Sequence, residues 1–238
     1  MIQLLEHGDK PAKEVYAGHE LSTHTVNHYP AGLNPGEESA DSNGIKLVGR
    51  STEEEVADIQ GCPVFLREKL DAQNVIGLAW PNGYGTARND YESHLLPAMK
   101  EIGIKYARAT ANGSFDLPDD WYVWNATCHH NNAPYYADKY ISLINEGSLK
   151  CFFNWGHSYE LVVEDESKNW TMLENVISKL ANENIWFATN GDVYRYSEAL
   201  AKAVVSDTEI INNSDITLYY QVNGENIEIA SGETYSIN

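Results

Sequence analysis

Short apolar runs typical of β-strands alternate with helix-like stretches along most of this 238-residue chain. Parallel strands need a long crossover between them, usually a helix, so this alternation predicts an α/β barrel or a wound parallel sheet. A Ser-Thr-Glu-Glu capping box at 51–54 opens the first helix, and Pro63 predicts a break within it. The strand-like runs are 74–80, 105–107, 121–124, 150–155 and 184–188; the helix-like stretches are about 51–69, 91–102, 134–145, 168–181 and 193–204.

The character of the sequence changes after Val205. Residues 217–222 and 227–229 are typical of two strands, and Asn223-Gly224 between them is a strong signal for a tight hairpin turn. We therefore predict an α/β barrel or wound sheet over residues 1–204. Residues 205–238 are expected to form either a small β appendage or an edge packed on the barrel.

Charge and composition exclude several classes of partner. The chain has 35 acidic and 16 basic residues and a formal charge of -19, which repels phosphate backbones and anionic lipid surfaces, so nucleic acid is not an expected partner. No apolar run approaches the ~20 residues of a membrane span, and no signal peptide is visible at the N-terminus. The three cysteines show no CxxC spacing, so neither a disulfide framework nor a thiolate zinc site is indicated.

Two histidines, His24 and His28, follow a short alternating stretch at 19–22. We expect them at the exit of a strand, on the first turn of a helix, where a four-residue spacing points both rings the same way. Imidazoles in this arrangement can clamp one divalent metal ion. The pair is therefore our candidate metal site.

Further polar groups follow the other predicted strands. In α/β barrels the reactive side chains lie at the carboxyl ends of the strands, where the loops converge. Asn82 and Tyr84 lie in a Gly-rich turn after 74–80, His157 follows 150–155, and Asp192 follows 184–188. Aromatic rings at the same ends can stack on sugars. The candidate substrate-binding residues are Trp80, Asn82, Tyr84, Trp155 and Tyr159, and one of the adjacent histidines at 129–130 is expected to add a contact.

These segments resemble the polysaccharide deacetylases of carbohydrate esterase family 4, the NodB-homology group. His24-Thr25-Val26-Asn27-His28 matches the family's H-[ST]-x-x-H metal motif, residues 154–160 resemble its later strand-end histidine motif, residues 186–196 resemble the last strand and helix of a bacterial subgroup, and Trp80-Pro81-Asn82-Gly83 is similar to its Pro-Tyr-Gly turn. The resemblance covers roughly residues 15–204. It implies a distorted (β/α) barrel that uses a divalent metal, usually zinc, to remove acetyl groups from extracellular or periplasmic glycans.

The chain also departs from that family. No Thr/Ser-Phe-Asp-Asp segment, which supplies the family's base and third metal ligand, precedes His24, and the arginine expected just before the turn at 81–83 is missing. The Asp119-Asp120 pair follows a different strand and is better explained as a polar turn. The resemblance therefore implies a barrel incomplete at its N-terminus, as in a truncated deacetylase.

The chemistry of metal-assisted hydrolysis suggests roles for the remaining residues. His157 would be the general acid that protonates the departing sugar atom, and a backbone N–H of the turn at 82–84 would help to hold the oxyanion. Asp9 or Asp192 would replace the lost carboxylate. The expected function is acetylxylan esterase or N-acetylglycan deacetylase activity. The alternative is a non-catalytic carbohydrate-binding remnant that lacks the acidic motif.

Overall fold

The computed structural model describes residues 9–41, 43–144 and 149–237, and the chain divides into two compact units, Met1–Phe187 and Ala188–Asn238. The predicted α/β class is confirmed, since the described residues combine six α-helices with several sheets. The helices are α1 Ala12–Val15, α2 Thr52–Leu70, α3 Leu96–Glu101, α4 Ala133–Leu143, α5 Trp170–Leu180 and α6 Asn190–Lys202. The strands are β1 Glu38–Ala40, β2 Lys46–Val48, β3 Gly77–Ala79, β4 Tyr106–Ala111, β5 Trp124–Ala126, β6 Cys128–His129, β7 Asn154–Trp155, β8 Val204–Val205, β9 Glu209–Ile211, β10 Leu218–Val222, β11 Glu225–Ile229 and β12 Thr234–Ser236.

Parallel strands of the first unit follow one another in chain order. A single parallel bridge joins Thr23 to Leu78 of β3, and β3, β4 and β5 then form a three-stranded parallel sheet. Further on, β6 pairs with β7 in parallel. The backbone N–H of Thr127, between β5 and β6, donates to Phe153 just before β7. The carboxyl ends of these strands therefore lie on the same side, although no closed barrel forms within the described residues.

Two apolar clusters hold these strands against their helices. The first packs β3 and β4 against α2 and α3 through fully buried side chains such as Ile59, Leu78 and Met99. The second packs α4 against α5 around Met172 and Val176. Burial of such side chains stabilises a fold by about 1.5–3 kcal/mol each, so the strands are fixed by their packing as well as by their hydrogen bonds.

Helix α2 begins at the predicted capping box. The hydroxyl of Ser51 accepts the N–H of Glu54, and the Glu54 carboxylate accepts the N–H of Ser51. The break expected at Pro63 was wrong, because α2 continues through this residue to Leu70. The strand expected at 184–188 was also wrong: these residues have no strand assignment, and the rings of Trp186 and Phe187 are largely exposed, whereas a central strand would bury them.

The second unit contains α6 and the antiparallel strands β8 to β12. Strands β10 and β11 form the predicted hairpin, in which Asn223 and Gly224 both adopt positive φ, as the tight turn requires. Strand β9 pairs with β8 on one side and β12 on the other. This unit begins upstream of residue 205 and so includes α6. No helix in the described part of the chain is both long and apolar enough to cross a membrane.

Candidate active site at the carboxyl ends of the parallel strands

His24 and His28 lie in a loop directly after the bridge at Thr23. The expected helical turn was wrong, because Thr25 and His28 adopt left-handed φ values of 63° and 57°, which an α-helix excludes. Local hydrogen bonds hold this shape instead: the Thr23 hydroxyl accepts the N–H of Thr25, and the Thr25 hydroxyl accepts the N–H of His28. The two imidazole rings nevertheless meet edge to face, with centroids 4.6 Å apart.

The protonation of His24 can be read from its surroundings. Its Nδ1 lies 2.8 Å from the carbonyl oxygen of Ala79, which can only accept, so Nδ1 carries the proton and Nε2 keeps a free lone pair. Burial lowers the pKa of His24 against the effect of the Ala79 hydrogen bond, and the nearby His28, Arg108 and His157 lower it further. His24 is therefore neutral near pH 7, the form that binds metals.

The neighbouring turn approaches His28. The amide nitrogen of Asn82 lies 3.5 Å from Nδ1 of the exposed His28 ring, a long contact. Asn82 and Gly83 both adopt positive φ, 53° and 119°, so this turn depends on residues that tolerate left-handed backbone. The structure thus brings Asn82 beside the histidine pair, although the sequence positions are 54 residues apart.

A carboxylate on α2 holds the histidine loop, the segment that carries His24 and His28. One oxygen of Asp58 accepts both the backbone N–H of Asn27, at 2.8 Å, and its side-chain amide, at 2.7 Å. Asp58 is 4% exposed, and its second oxygen is buried and without a hydrogen-bond partner in the described structure. The position of the loop between the two histidines is therefore tied to α2.

On the opposite group of strands, His157 and Glu160 form a hydrogen-bonded pair. Oε2 of Glu160 accepts Nδ1–H of His157 at 2.9 Å, the backbone N–H of His157 at 3.1 Å and Nε2–H of His129 at 3.0 Å. Burial raises the pKa of Glu160, but the side-chain and backbone hydrogen bonds from His157 outweigh it and leave the pKa below its usual value. Glu160 is therefore an ionised acceptor near neutral pH.

These three side chains could also hold a metal ion, since their ligand atoms all lie within 4.8 Å of one another. Hydrogen bonding already accounts for their arrangement, however. The second nitrogen of His129 accepts the N–H of Asn131 at 3.4 Å, so both ring nitrogens of His129 are occupied. His157 donates through Nδ1, which leaves its Nε2 as the ring nitrogen available to a substrate.

Beneath this pair lies the buried ring of His130. It is 2% exposed, and its Nε2 lies 3.9 Å from the Glu160 carboxylate, with no hydrogen-bond partner among the described residues. A Cβ at position 156 would collide with the His130 ring. The absence of a side chain at Gly156 therefore leaves the space that the His130 ring occupies.

Arg108, in the middle of β4, is a site residue that the sequence analysis missed. Its guanidinium carbon lies 4.6 Å above the ring centroid of Trp155, and one of its N–H groups donates to Ala109 at 2.8 Å. Its register partner on β3 is Ala79, whose carbonyl binds His24. The arginine that the family resemblance required before the turn at 81–83 was absent, whereas Arg108 arrives one strand later.

The predicted aromatic residues fall into different environments. Tyr159 is 70% exposed and stacks on His157, with ring centroids 4.9 Å apart, and Trp155 contacts His129 edge to face. The Tyr84 hydroxyl bonds Thr110 and Asn125. Trp80 is 1% exposed, belongs to the first core cluster and donates its indole N–H to Tyr122, so its ring packs the interior.

The candidate replacement carboxylates have other surroundings. Asp192 lies in the second unit, at the start of α6, where it caps the helix with Thr189 and pairs with Arg195. The Thr189 hydrogen bond lowers the pKa of Asp192, despite some burial. Asp9 is exposed ahead of α1.

The Asp119-Asp120 turn lines a cavity of about 480 Å³, together with Asp116 and Trp124. The Asp120 carboxylate accepts the N–H of Tyr122 and caps a short 3₁₀ turn at Trp121–Val123. This capping role agrees with the prediction of a polar turn.

No known protein-family model matches this chain, and no curated protein resembles it closely enough to count as a relative.

Proposed function

We propose that this protein is a divergent metal-dependent hydrolase of the polysaccharide deacetylase type, which removes acetyl groups from a polysaccharide or oligosaccharide. The observation that carries the proposal is the convergence of His24, His28, Arg108 and the His157–Glu160 pair at neighbouring parallel strands. This arrangement is typical of a barrel mouth, so we further propose that the strands form part of a distorted (β/α) barrel. A glycan substrate would place the protein in an extracellular or periplasmic setting.

His24 and His28 would hold the metal, which we expect to be zinc. Metal-binding histidines usually donate their other N–H to a carbonyl or carboxylate, and His24 does so to Ala79 while its Nε2 stays free. The exposed ring of His28, next to His24, supplies a second nitrogen ligand for the metal. A bound divalent ion would polarise the acetyl carbonyl and lower the pKa of water.

His157 would donate the proton that the departing sugar atom needs. Its Nδ1 is held by Glu160, so the ring is oriented with Nε2 available to the substrate. Tyr159, stacked on His157 and exposed, offers a flat face for a sugar ring next to the proton donor. Trp155 and Asn82 would complete the substrate contacts.

One observation favours the alternative of a carbohydrate-binding remnant with little activity. No carboxylate joins His24 and His28 in a three-ligand group in the part of the chain that the structure describes. Without a positioned base, hydrolysis typically loses a factor of about 10² to 10⁴. We therefore expect slow turnover, well below the order of 10 s⁻¹ usual for enzymes.

Acetate release tests the proposal. The zinc-loaded protein should slowly release acetate from acetylated xylan or chitooligosaccharides, and this release should stop after EDTA treatment and in His24→Ala/His28→Ala. Zinc-independent release, or undiminished release by the double variant, would contradict the proposed metal site. Binding of the same oligosaccharides without any release would favour the remnant.

A further inference from the structure

Arg108 is a partly buried cation without a counterion. The described ion pairs use many of the basic side chains, including Arg88 with Asp90 and Lys150 with Asp116, but no carboxylate lies within 4.0 Å of the Arg108 guanidinium among the described residues. The chain has 35 acidic and 16 basic residues, so it contains more than enough carboxylates to pair with Arg108. Burying a charge without such a partner costs free energy, which makes the missing anion notable.

The surroundings of Arg108 supply more hydrogen-bond donors than acceptors. The guanidinium rests on the Trp155 ring and spends one N–H on the Ala109 carbonyl, which leaves further N–H groups of its planar fork. The indole N–H of Trp155 is itself buried and has no acceptor within the described structure. A ligand that brings acceptor oxygens would satisfy the remaining N–H groups of Arg108.

Titratable groups border Arg108 on both sides. His24 lies across β3, bonded to the register partner of Arg108, and the Trp155 ring lies 5.7 Å from His157 and 4.9 Å from His129. The one carboxylate of this group, Glu160, is engaged by the two histidines. An anion bound to Arg108 would therefore meet imidazoles that are neutral or positive.

We propose that Arg108, seated on Trp155, is a carboxylate-binding residue. Arginine binds carboxylates through two parallel N–H···O bonds, a geometry that its flat fork favours and that lysine cannot copy. The carboxylate has two chemical sources: acetate, the product of the proposed reaction, or the acid group of a uronic-acid sugar in the glycan. The choice between these sources rests on the proposed function, but carboxylate binding does not.

Calorimetric titration tests this site without any acetylated substrate. Sodium acetate and sodium glucuronate are titrated into the protein as purified and after EDTA treatment, with neutral glucose as the control ligand. We expect saturable binding of at least one carboxylate in both preparations, and at least ten-fold weaker binding by Arg108→Gln. The control Arg67→Gln, an exposed arginine on α2, should bind like the wild type.

The two ligands separate the sources. Tighter acetate binding assigns the site to the product, whereas tighter glucuronate binding assigns it to an acidic sugar. No saturable binding of either ligand, or equal binding by Arg108→Gln, would overturn the proposal.

If Arg108→Gln does not fold, Arg108→Lys provides the test, because lysine keeps the charge but lacks the planar fork. Arg108→Lys should bind the carboxylate several-fold more weakly than the wild type, and unchanged binding would contradict the proposal. A protein that binds carboxylates but releases no acetate would refute only the proposed function.

Discussion

At the scale of single residues, the chemistry of the site depends on one oxygen atom, Oε2 of Glu160. It accepts hydrogen bonds from His157 and from His129, and these bonds fix the orientation of the His157 ring. A proton donor that is oriented in this way matters most when the leaving group is a poor one. The proposed role of His157 therefore makes a distinction between substrates.

We predict that His157→Ala lowers turnover of an acetylated glycan by a factor of about 10² to 10⁴. Turnover of an aryl acetate should fall much less, because its aryloxide leaving group departs as a stable anion without a proton. Glu160→Gln should show the same selectivity in milder form, because the amide keeps a hydrogen-bond acceptor but loses the charge. The measurement is the ratio of kcat/KM for the two substrates, alongside zinc content and thermal unfolding.

The structural alternative makes His157 and Glu160 packing residues only. In that case both substrates would lose equally and the melting temperature would fall. Tyr159→Leu provides a matched control, because it removes the ring stacked on His157 without touching the Glu160 hydrogen bonds. It should raise the KM for the glycan and leave the kcat of both substrates unchanged, whereas His157→Ala should lower the glycan kcat.

Only part of this residue-scale arrangement could be predicted from sequence. The strand-end position of His157 follows from local pattern, but His129 and Glu160 are 31 residues apart, and no local signal joins them. Arg108 lies inside a strand, one residue beyond the apolar run at 105–107, where side-chain alternation alone does not show that it stacks on Trp155.

At the scale of elements, helix α2 connects stability with the histidine loop. Its capping box stabilises its first turn, and one turn later Asp58 binds both amide groups of Asn27. These two features act on the same helix but only Asp58 reaches the loop. Variants at the two positions can therefore separate a general loss of helix stability from a specific effect on the loop.

We expect Asp58→Ala to weaken zinc binding by on the order of ten-fold, the lower range for loss of an outer-shell partner. Ser51→Ala should lower the free energy of unfolding by about 1 kcal/mol through loss of the cap, with no change in zinc affinity. Zinc titration and urea unfolding of both variants provide the measurements. Equal zinc affinity in Asp58→Ala and the wild type would show that the loop does not need its anchor.

Elements with strong local signals were predictable. The capping box at 51–54 and the Asn223-Gly224 turn both formed as expected, because their hydrogen bonds and backbone angles are decided by neighbouring residues. The histidine loop was not, since besides its local hydrogen bonds it depends on the contact between Asn27 and the distant Asp58. The local sequence also does not show whether distant strands will bury a segment, and residues 184–188 are not buried in this way.

At the scale of the whole molecule, a buried carboxyl links stability to pH. Glu55 on α2 is 0% exposed, and neither of its oxygens has a hydrogen-bond partner in the described structure. Burial raises the pKa of Glu55 from 4.5 to about 7, against the attraction of Arg88 and with a small contribution from Asp58. Glu55 is therefore protonated in the folded protein under conditions where the unfolded chain ionises it.

Unfolding then releases a proton between about pH 4.5 and 7, so the Glu55 contribution to stability falls as pH rises through this window and is constant above it. Glu55→Gln cannot ionise, and we predict that it gains stability over the wild type with rising pH, by on the order of 3 kcal/mol at pH 8. Urea unfolding at pH 4.5, 6 and 8 measures this difference. The exposed Glu68→Gln on the same helix should leave the pH slope unchanged, and an identical slope in Glu55→Gln would refute the prediction.

The whole first unit brings the ends of its parallel strands to one side, and we propose that this side holds a divalent metal at His24 and His28. Zinc analysis after dialysis tests that claim most directly, by comparing the wild type with His24→Ala/His28→Ala and with His129→Ala. We predict about one zinc per chain in the wild type and in His129→Ala, and none in the double variant. Equal zinc in the wild type and the double variant, with loss in His129→Ala, would contradict the claim and move the metal to the His129, His157 and Glu160 group.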